Sequence, residues 1–189
     1  MLRIISGSIS GRRLKTLAGT HTRPTSDKVK GAIFNVLAEK VSESRVLDLF
    51  AGSGALALEA LSRGACTAVL LEKSSQACEV IRENIQLTGF APQVKLFNRD
   101  GLSYLKGLSE ECFDLVFIDP PYKQGLALNS LHLLSTGNFL SDNSVIIVET
   151  SREEELPVEI GIISLRKKTK YGDTLVWYYQ PTDTEGKEN

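Results

Sequence analysis

The sequence predicts an α/β fold built on a doubly wound, mostly parallel sheet. Short apolar runs alternate along the chain with amphipathic stretches, which is typical of repeated strand and helix units. Residues 115–118 are apolar at every position, as expected for a parallel strand that is covered on both faces. With 189 residues, of which 42% are hydrophobic, the chain is long enough for one domain and a small appendage.

Each predicted element follows from the local pattern of the chain. A basic hairpin comes first, with two short strands at residues 2–7 and 11–17, and helical spacing of apolar positions begins after Pro24, at residues 28–41. Strands then alternate with helices: strands at 45–50, 67–72, 94–100, 114–119 and 144–150, helices at 55–64, 75–89, 101–107 and 126–137. Two last apolar runs, 160–170 and 174–180, predict a closing antiparallel hairpin.

These elements divide the chain into three expected parts. Residues 1–24 form a basic N-terminal β-hairpin extension, and residues 25–180 form the α/β domain. The polar residues 181–189 are expected to be a disordered tail. Counting five parallel strands and the C-terminal antiparallel hairpin, we expect a seven-stranded, Rossmann-like sheet.

Composition excludes several kinds of site and location. Only two histidines are present, so a metal centre or a histidine-based triad has little to draw on, and no metal is expected. Cys66, Cys78 and Cys112 lack metal-site spacing and are odd in number, which favours reduced thiols. No apolar run approaches the ~18–20 residues of a membrane span, and no signal peptide is visible. We therefore expect a cytoplasmic protein without a membrane partner.

The positive charge of the chain is concentrated near its N-terminus. The net charge is −1, yet residues 1–30 carry seven basic side chains and one acidic side chain. A local excess of this kind favours nucleic acid as the partner of the N-terminal hairpin. The alternative is an ordinary solvated surface.

The first strand of the α/β domain leads into a glycine-containing turn, "LDLFAGSGALALEA". Gly52 and Gly54 allow a tight turn and close approach of a ligand to the backbone. Glu72 ends the next strand, where a carboxylate can bind the two hydroxyls of a ribose. The same residues also fit the G-x-G-x-x-A pattern of nicotinamide-dinucleotide enzymes. Asp48 argues against that reading, because a carboxylate beside the turn repels a pyrophosphate and attracts a cationic cofactor.

A second candidate site follows the fourth strand of the domain, in "DLVFIDPPYKQG". Two prolines cannot donate ladder hydrogen bonds, so the strand stops and Asp119 projects beyond the sheet. That end of a parallel sheet is where α/β proteins bind ligands. The alternative is a proline-terminated strand whose aspartate caps a turn.

Several segments together resemble a known family. They are "RIISGSISGRRLKT", "TRPTSDKVKGAIFN", "LDLFAGSGALALEALSRGA" and "FDLVFIDPPY". Their order and sequence are similar to those of the bacterial small-subunit (16S) ribosomal RNA guanine-N(2) methyltransferases, within the class I S-adenosylmethionine-dependent methyltransferases. The resemblance runs from Arg3 to Gln180 and implies a methyltransferase domain that uses S-adenosyl-L-methionine. The implied substrate is a guanine of 16S ribosomal RNA or of the assembling small ribosomal subunit, and the chain is expected to be a monomer.

The resemblance also implies a set of site residues. The residues expected to be catalytic are Asp119, Pro120, Pro121 and Tyr122. The cofactor-binding residues are Thr25, Asp48, Phe50, Ala51, Gly52, Ser53, Gly54, Glu72, Lys73, Asp100 and Gly101. The residues expected to contact RNA are Arg3, Arg12, Arg13, Lys15 and Arg23. Asp119 and the Pro120 carbonyl would accept hydrogen bonds from the target amine, and Tyr122 would stack on the extruded base.

Other functions remain open on the residues alone. A DNA adenine-N(6) methyltransferase also uses the D-P-P-Y sequence, although no separate target-recognition domain is visible. A nicotinamide-dependent oxidoreductase fits the glycine turn. A non-catalytic RNA-binding module with a decayed site is disfavoured by the strand-end carboxylates. For single residues, Tyr122 could be a packing aromatic, and Asp100 and Glu72 could be helix caps.

Overall fold

A computed structural model describes residues 2–17, 27–107 and 111–182. The chain divides into two compact units, Met1–Gly101 and Leu102–Asn189. Arg23 and Thr25, two of the expected site residues, lie outside the described residues, as does the tail from residue 183 onwards. No helix among the described residues is long and apolar enough to span a membrane.

The described residues of the first unit form three α-helices and three parallel strands before residue 101. In chain order they are α1 (Asp27–Leu37), β1 (Arg45–Asp48), α2 (Ala55–Ser62), β2 (Thr67–Leu71), α3 (Ser75–Thr88) and β3 (Val94–Phe97). The strands lie in the order β3-β2-β1, with Leu47 opposite Val69 and Leu70 opposite Leu96. Parallel pairing follows from the helix that connects each strand to the next.

Local sequence explains where these elements begin and end. The side chain of Ser74 accepts a hydrogen bond from the Ala77 amide at 3.3 Å and caps the start of α3. Gly89 ends the same helix in the left-handed conformation, with φ at 78°. β1 is buried at three of its four positions, two of which are the apolar Val46 and Leu47, as expected for a strand covered on both faces.

The second unit begins within the short helix α4 (Gly101–Leu105), and its described residues form five strands. The other elements are β4 (Phe113–Ile118), α5 (Leu126–Thr136), β5 (Leu140–Ser151), β6 (Glu159–Ile160), β7 (Ile163–Tyr171) and β8 (Thr174–Pro181). The strands lie in the order β4-β5-β8-β7-β6. β4 and β5 are parallel, whereas β5 with β8, β8 with β7 and β7 with β6 are antiparallel.

The α/β fold with parallel strands and a C-terminal antiparallel hairpin is confirmed, but the predicted count of seven strands is wrong. The described residues form eight strands, and the additional one is the two-residue β6, which pairs with β7 through Glu159 and Ser164. A strand this short has too few positions to show an alternating pattern. β8 includes Pro181, which the sequence assigns to the tail.

The N-terminal segment turns back on itself as predicted, but it forms only one isolated β-bridge, between Arg3 and Arg13. Backbone hydrogen bonds join Ile4 to Arg12 at 2.9 Å and Leu14 to Leu2 at 3.0 Å. We call residues 2–15 the N-terminal hairpin. Side chains of α1, α2 and α3 hold this hairpin in place, through contacts that are described below.

Candidate active site

The glycine turn follows β1 and has two glycines with different surroundings. Gly52 and Gly54 adopt φ values of 56° and 77°, in the left-handed region that favours glycine. A Cβ on Gly52 would meet no atom within 4 Å, whereas one on Gly54 would lie 3.2 Å from Leu70 Cδ2. Gly52 therefore leaves the backbone open to a ligand, and Gly54 allows α2 to begin against β2.

Glu72 is held by backbone amides on both sides of its carboxylate. Its Oε2 accepts a hydrogen bond from the Gly52 amide at 2.9 Å, and its Oε1 accepts one from the Ser74 amide at 2.8 Å. The carboxylate is thus oriented between the glycine turn and the start of α3. Each oxygen retains a second lone pair, so ribose hydroxyls can be accepted in the same orientation.

The ends of β2 and β3 are joined by Asn98. Its Nδ2 donates to the carbonyl oxygens of Glu72 at 2.9 Å and Lys73 at 3.1 Å. Three residues later in the chain, Gly101 packs so closely on the end of β1 that an added Cβ would lie 2.5 Å from the Leu49 carbonyl oxygen. The half-buried Asp100 is thereby placed next to the end of β1.

The remaining described members of the expected cofactor set lie on or beside the same turn. Asp48 ends β1 and is only 1% exposed. Phe50 is half-buried, Ala51 is buried, and Lys73 is exposed. Ten of the eleven residues expected to bind the cofactor lie within the first unit, at the glycine turn or after the ends of β2 and β3: Asp48, Phe50, Ala51, Gly52, Ser53, Gly54, Glu72, Lys73, Asp100 and Gly101.

Asn84 is a fully buried residue that the sequence analysis missed. Its Nδ2 donates to the Ser53 carbonyl at 2.9 Å and to the Lys15 carbonyl at 3.0 Å, and its Oδ1 accepts from the Lys15 amide at 2.7 Å. One amide of α3 therefore connects the glycine turn with the end of the N-terminal hairpin. A polar residue on the apolar side of a predicted helix is the signal that could have identified it.

Glu59 fixes the other end of the N-terminal hairpin. This fully buried carboxylate of α2 accepts hydrogen bonds from the Ile5 amide at 2.7 Å and the Ser6 amide at 3.0 Å. It also forms ion pairs with Lys30 at 3.2 Å and Arg63 at 2.8 Å. Burial lowers the pKa of Lys30, and the Glu59 carboxylate opposes that shift. Glu59 was also missed, although a glutamate within "ALALEALS" is unusual for a buried helix.

The basic side chains of the N-terminal hairpin remain at the surface. Arg3 forms an exposed ion pair with Asp27 at 3.0 Å, and Lys15 forms one with Glu83 at 3.0 Å. Arg12 and Arg13 are exposed. Surface pairs of this kind contribute little to stability, so these side chains are available for other anionic partners.

The sequence Asp119-Pro120-Pro121-Tyr122 lies in the second unit, directly after the buried strand β4. Asp119 is half-buried and Pro120 is buried, whereas Pro121 and Tyr122 are exposed. Lys123, with φ at 63°, and Gly125, with φ at 67°, then reverse the chain into α5. The strand ends where the prolines predict, and its carboxylate is followed by an exposed aromatic ring.

Tyr122 makes a defined contact that the sequence does not show. Its hydroxyl donates to Glu149 Oε1 at 3.2 Å, and Glu149 lies on β5 with only 5% of its surface exposed. Burial, together with the negative charge of Glu149, raises the pKa of the Tyr122 phenol. The phenol is therefore a protonated hydrogen-bond donor at neutral pH.

The described residues contain no group of three or more His, Cys, Asp or Glu side chains arranged to hold a metal ion. The polar groups of the glycine turn and of the residues after β4 are instead carboxylates, amides and backbone groups. Such groups can bind hydroxyls, amines and cationic centres.

Comparison with known proteins identifies relatives over nearly the whole chain. Residues 2–180 match the family described as conserved hypothetical protein 95. Ribosomal RNA small subunit methyltransferase D of Haemophilus influenzae is 38% identical over 170 residues, which cover 89% of this chain and 88% of the relative. The solved structure of a conserved hypothetical protein of Streptococcus pyogenes is 37% identical, with a TM-score of 0.76, and the match covers 85% of this chain and all of that one.

A more distant solved structure, of a methyltransferase-like chain in complex with SAH, is 17% identical with a TM-score of 0.62. The match covers 77% of this chain and 48% of that one, and it shows the fold alone. Together these matches confirm the fold class and the family resemblance predicted from the sequence. The chain belongs to the family described as conserved hypothetical protein 95 and is a relative of ribosomal RNA small subunit methyltransferase D.

Proposed function

We propose that the protein transfers a methyl group from S-adenosyl-L-methionine to the exocyclic amine of a guanine in small-subunit ribosomal RNA. The observation that carries the proposal is the Asp119-Pro120-Pro121-Tyr122 sequence at the end of a buried parallel strand, with a half-buried carboxylate followed by an exposed aromatic ring. The relative from Haemophilus influenzae is named as a methyltransferase of small-subunit ribosomal RNA. We further propose that the protein acts as a cytoplasmic monomer.

The glycine turn and its acidic neighbours fit the proposed cofactor. Open space at Gly52 allows a ligand to approach the backbone, and the oriented carboxylate of Glu72 suits a ribose diol. Asp48 adds a buried negative charge, which favours a cofactor with an ammonium and a sulfonium over a pyrophosphate. When bound, S-adenosyl-L-methionine supplies an electrophilic methyl group. SAH, the same molecule without that methyl group, is bound in the distantly similar structure.

The residues after β4 supply what an exocyclic amine needs. Such an amine is a poor nucleophile, because its lone pair is delocalised into the base. The Asp119 carboxylate and the Pro120 carbonyl can each accept an N–H, which localises the lone pair on nitrogen. The fixed φ of both prolines holds these acceptors in place before the substrate binds. Tyr122, which is 41% exposed, offers a face on which the target base can stack.

RNA recognition is assigned to the N-terminal hairpin. Arg3, Arg12, Arg13 and Lys15 are exposed, and the backbone that carries them is anchored by Glu59 and Asn84. Exposed basic side chains on a fixed backbone can bind phosphates without loss of backbone entropy. Arg23 is proposed for the same role because it belongs to the basic N-terminal region, and Thr25 is proposed for the cofactor edge from the family resemblance.

The decisive experiment incubates the protein with methyl-labelled S-adenosyl-L-methionine and three substrates: naked small-subunit ribosomal RNA, assembling small subunits, and DNA. Mass spectrometry of the digested nucleosides then identifies the product. We expect N(2)-methylguanosine in one of the two RNA samples. N(6)-methyladenine in DNA would establish the alternative methyltransferase instead. Titration calorimetry with SAH and with NAD tests the cofactor, and binding of NAD alone would contradict the proposal.

The RNA-binding surface has its own test. Replacing Arg12, Arg13 and Lys15 by alanine is expected to weaken RNA binding for all sequences. The slope of log K against the logarithm of the salt concentration should become shallower by about 0.7–0.9 per lost phosphate contact. Affinity for SAH should be unchanged, because the changed side chains are on the surface. An unchanged RNA affinity and salt slope would show that RNA binds elsewhere.

A further inference from the structure

A second carboxylate lies beside the proposed catalytic loop. Glu149 of β5 is buried to 95% of its surface and accepts the hydroxyl hydrogen of Tyr122 at 3.2 Å. Tyr122 is three residues after Asp119, the proposed acceptor for the target amine. Buried carboxylates are rare unless they are paired or functional, and the proposed reaction gives Glu149 no role so far.

Asp119 and Glu149 both act on the same phenol. After burial, the negative charges of Glu149 and Asp119 contribute to the raised pKa of Tyr122. The parallel register of β4 and β5, with Ile118 opposite Val148, also places the next residues along the chain, Asp119 and Glu149, side by side. A base that stacks on this ring therefore presents its polar edge to two acceptors rather than one.

Two neighbouring carboxylate acceptors are complementary to the N1 and amine edge of guanine, but not to the corresponding edge of adenine. Guanine carries adjacent donors on this edge, the N1–H and the 2-amine. Adenine carries a 6-amine next to an unprotonated N1, whose lone pair a carboxylate repels. The pair of carboxylates is therefore complementary to guanine, and a mismatch at N1 leaves a buried charge without its hydrogen bond.

We propose that Glu149 is a specificity-determining residue that accepts the N1–H of the target guanine while Asp119 accepts an N–H of its 2-amine. The inference rests on the proposed methyl transfer to guanine and names the residue that selects that base. The Tyr122 hydroxyl bonds to Oε1 of Glu149, and a carboxylate accepts several hydrogen bonds, so the base and the phenol can be bound by the same side chain. Tyr122 thus supplies the stacking surface next to the group that reads the base.

The test compares guanine with 2-aminopurine, which keeps the 2-amine but has an unprotonated N1. Once the methylated nucleotide is identified, RNA carrying either base at that position is prepared by ligation and methylated under single-turnover conditions. The parent protein is expected to prefer guanine by roughly 10²-fold or more. Glu149→Gln replaces an acceptor by an amide that can donate to N1. The preference should fall at least about tenfold in this variant, because a charge-assisted hydrogen bond is exchanged for one that also suits 2-aminopurine.

Tyr122→Phe is the matched control, because it removes the hydrogen bond to Glu149 but keeps the carboxylate. Its rate should fall by the same factor on both bases, with the preference for guanine unchanged. 2-Aminopurine also lacks the 6-oxygen of guanine, but this difference is the same for all three proteins and cancels when their preferences are compared. SAH binding by calorimetry confirms that each variant is folded.

Each outcome decides the inference. The inference is supported if the preference for guanine over 2-aminopurine falls in Glu149→Gln but not in Tyr122→Phe. An unchanged preference, or an equal loss of rate on both bases, would overturn it and leave Glu149 as a residue that only positions Tyr122. A parent protein that methylates no guanine at all would instead refute the proposed function.

Discussion

The two loops that carry the proposed chemistry are built in different ways. The glycine turn, residues 49–54, is held by backbone and buried side-chain hydrogen bonds: the Ala51 amide donates to the Leu71 carbonyl at 3.0 Å, the Gly52 amide to Glu72 at 2.9 Å, and Asn84 donates to Ser53 at 2.9 Å. Residues 121–125, which follow β4, are all exposed. Their side-chain contacts include the Tyr122–Glu149 hydrogen bond and a surface ion pair between Lys123 and Glu153 at 2.7 Å.

This difference corresponds to what each loop is proposed to bind. A small cofactor gains affinity from a site that is ordered before it arrives, because little conformational entropy is lost on binding. A nucleotide that has to leave an RNA structure approaches an exposed loop more readily, and surface contacts such as Lys123–Glu153 are exchanged at little cost. Changes to the first loop should therefore affect folding and cofactor affinity, and changes to the second should affect turnover.

The largest expected effect is on turnover, from Asp119→Ala. The change removes an acceptor that is used most strongly in the transition state, so the single-turnover rate should fall by roughly 10²–10³-fold. SAH affinity, measured by calorimetry, should hardly change. Asp119→Asn retains one acceptor oxygen without the charge and should be impaired less. A parent-like rate for Asp119→Ala would show that the aspartate only caps the turn after β4.

The next largest effect should be on folding, from Gly54→Ala. The left-handed φ of 77° and the 3.2 Å approach to Leu70 should together lower the free energy of unfolding by about 2–4 kcal/mol. Gly52→Ala is the matched control, since its φ of 56° is also left-handed but the space around it is open. It should lose only about 1–2 kcal/mol, yet bind SAH more weakly. Denaturant unfolding and calorimetry separate the two effects, and equal unfolding losses would contradict the packing argument.

The contrast between the loops also shows what the sequence could predict. Strand ends, glycine turns and proline stops are local patterns, so the ends of β1 and β4 were predicted to within two residues. Glu59, Asn84 and Glu149 were missed, because each acts on a partner far away in the sequence: Ile5, Ser53 and Tyr122. A buried polar residue within an apolar element indicates that a partner exists, but it does not identify the partner.

Asn84→Ala tests whether the order of the glycine turn depends on this one buried amide. The change leaves the Lys15 backbone groups and the Ser53 carbonyl without a hydrogen-bond partner that they have now, which should cost about 1–3 kcal/mol of stability. Hydrogen exchange at the turn should accelerate and SAH affinity should fall. Thr88→Val is the control, because this buried hydroxyl of α3 bonds only within its helix, to Asn84 and Ile85 carbonyls, in the contacts that the structure describes. If both variants bind SAH equally well, Asn84 does not order the turn.

The smallest effect is expected from Tyr122→Phe, because the ring that stacks on the base is retained. The lost hydrogen bond to Glu149 is long, at 3.2 Å, and should contribute no more than about 1.5 kcal/mol. Stability and SAH affinity should be close to those of the parent protein, with single-turnover methyl transfer reduced less than about tenfold. Tyr122→Ala also removes the ring and should weaken base binding by a further 1–3 kcal/mol or so, about the value of one base–aromatic stack. If phenylalanine and alanine are equally impaired, the hydroxyl rather than the ring carries the role of Tyr122, and the loop after β4 is a fixed structure like the glycine turn.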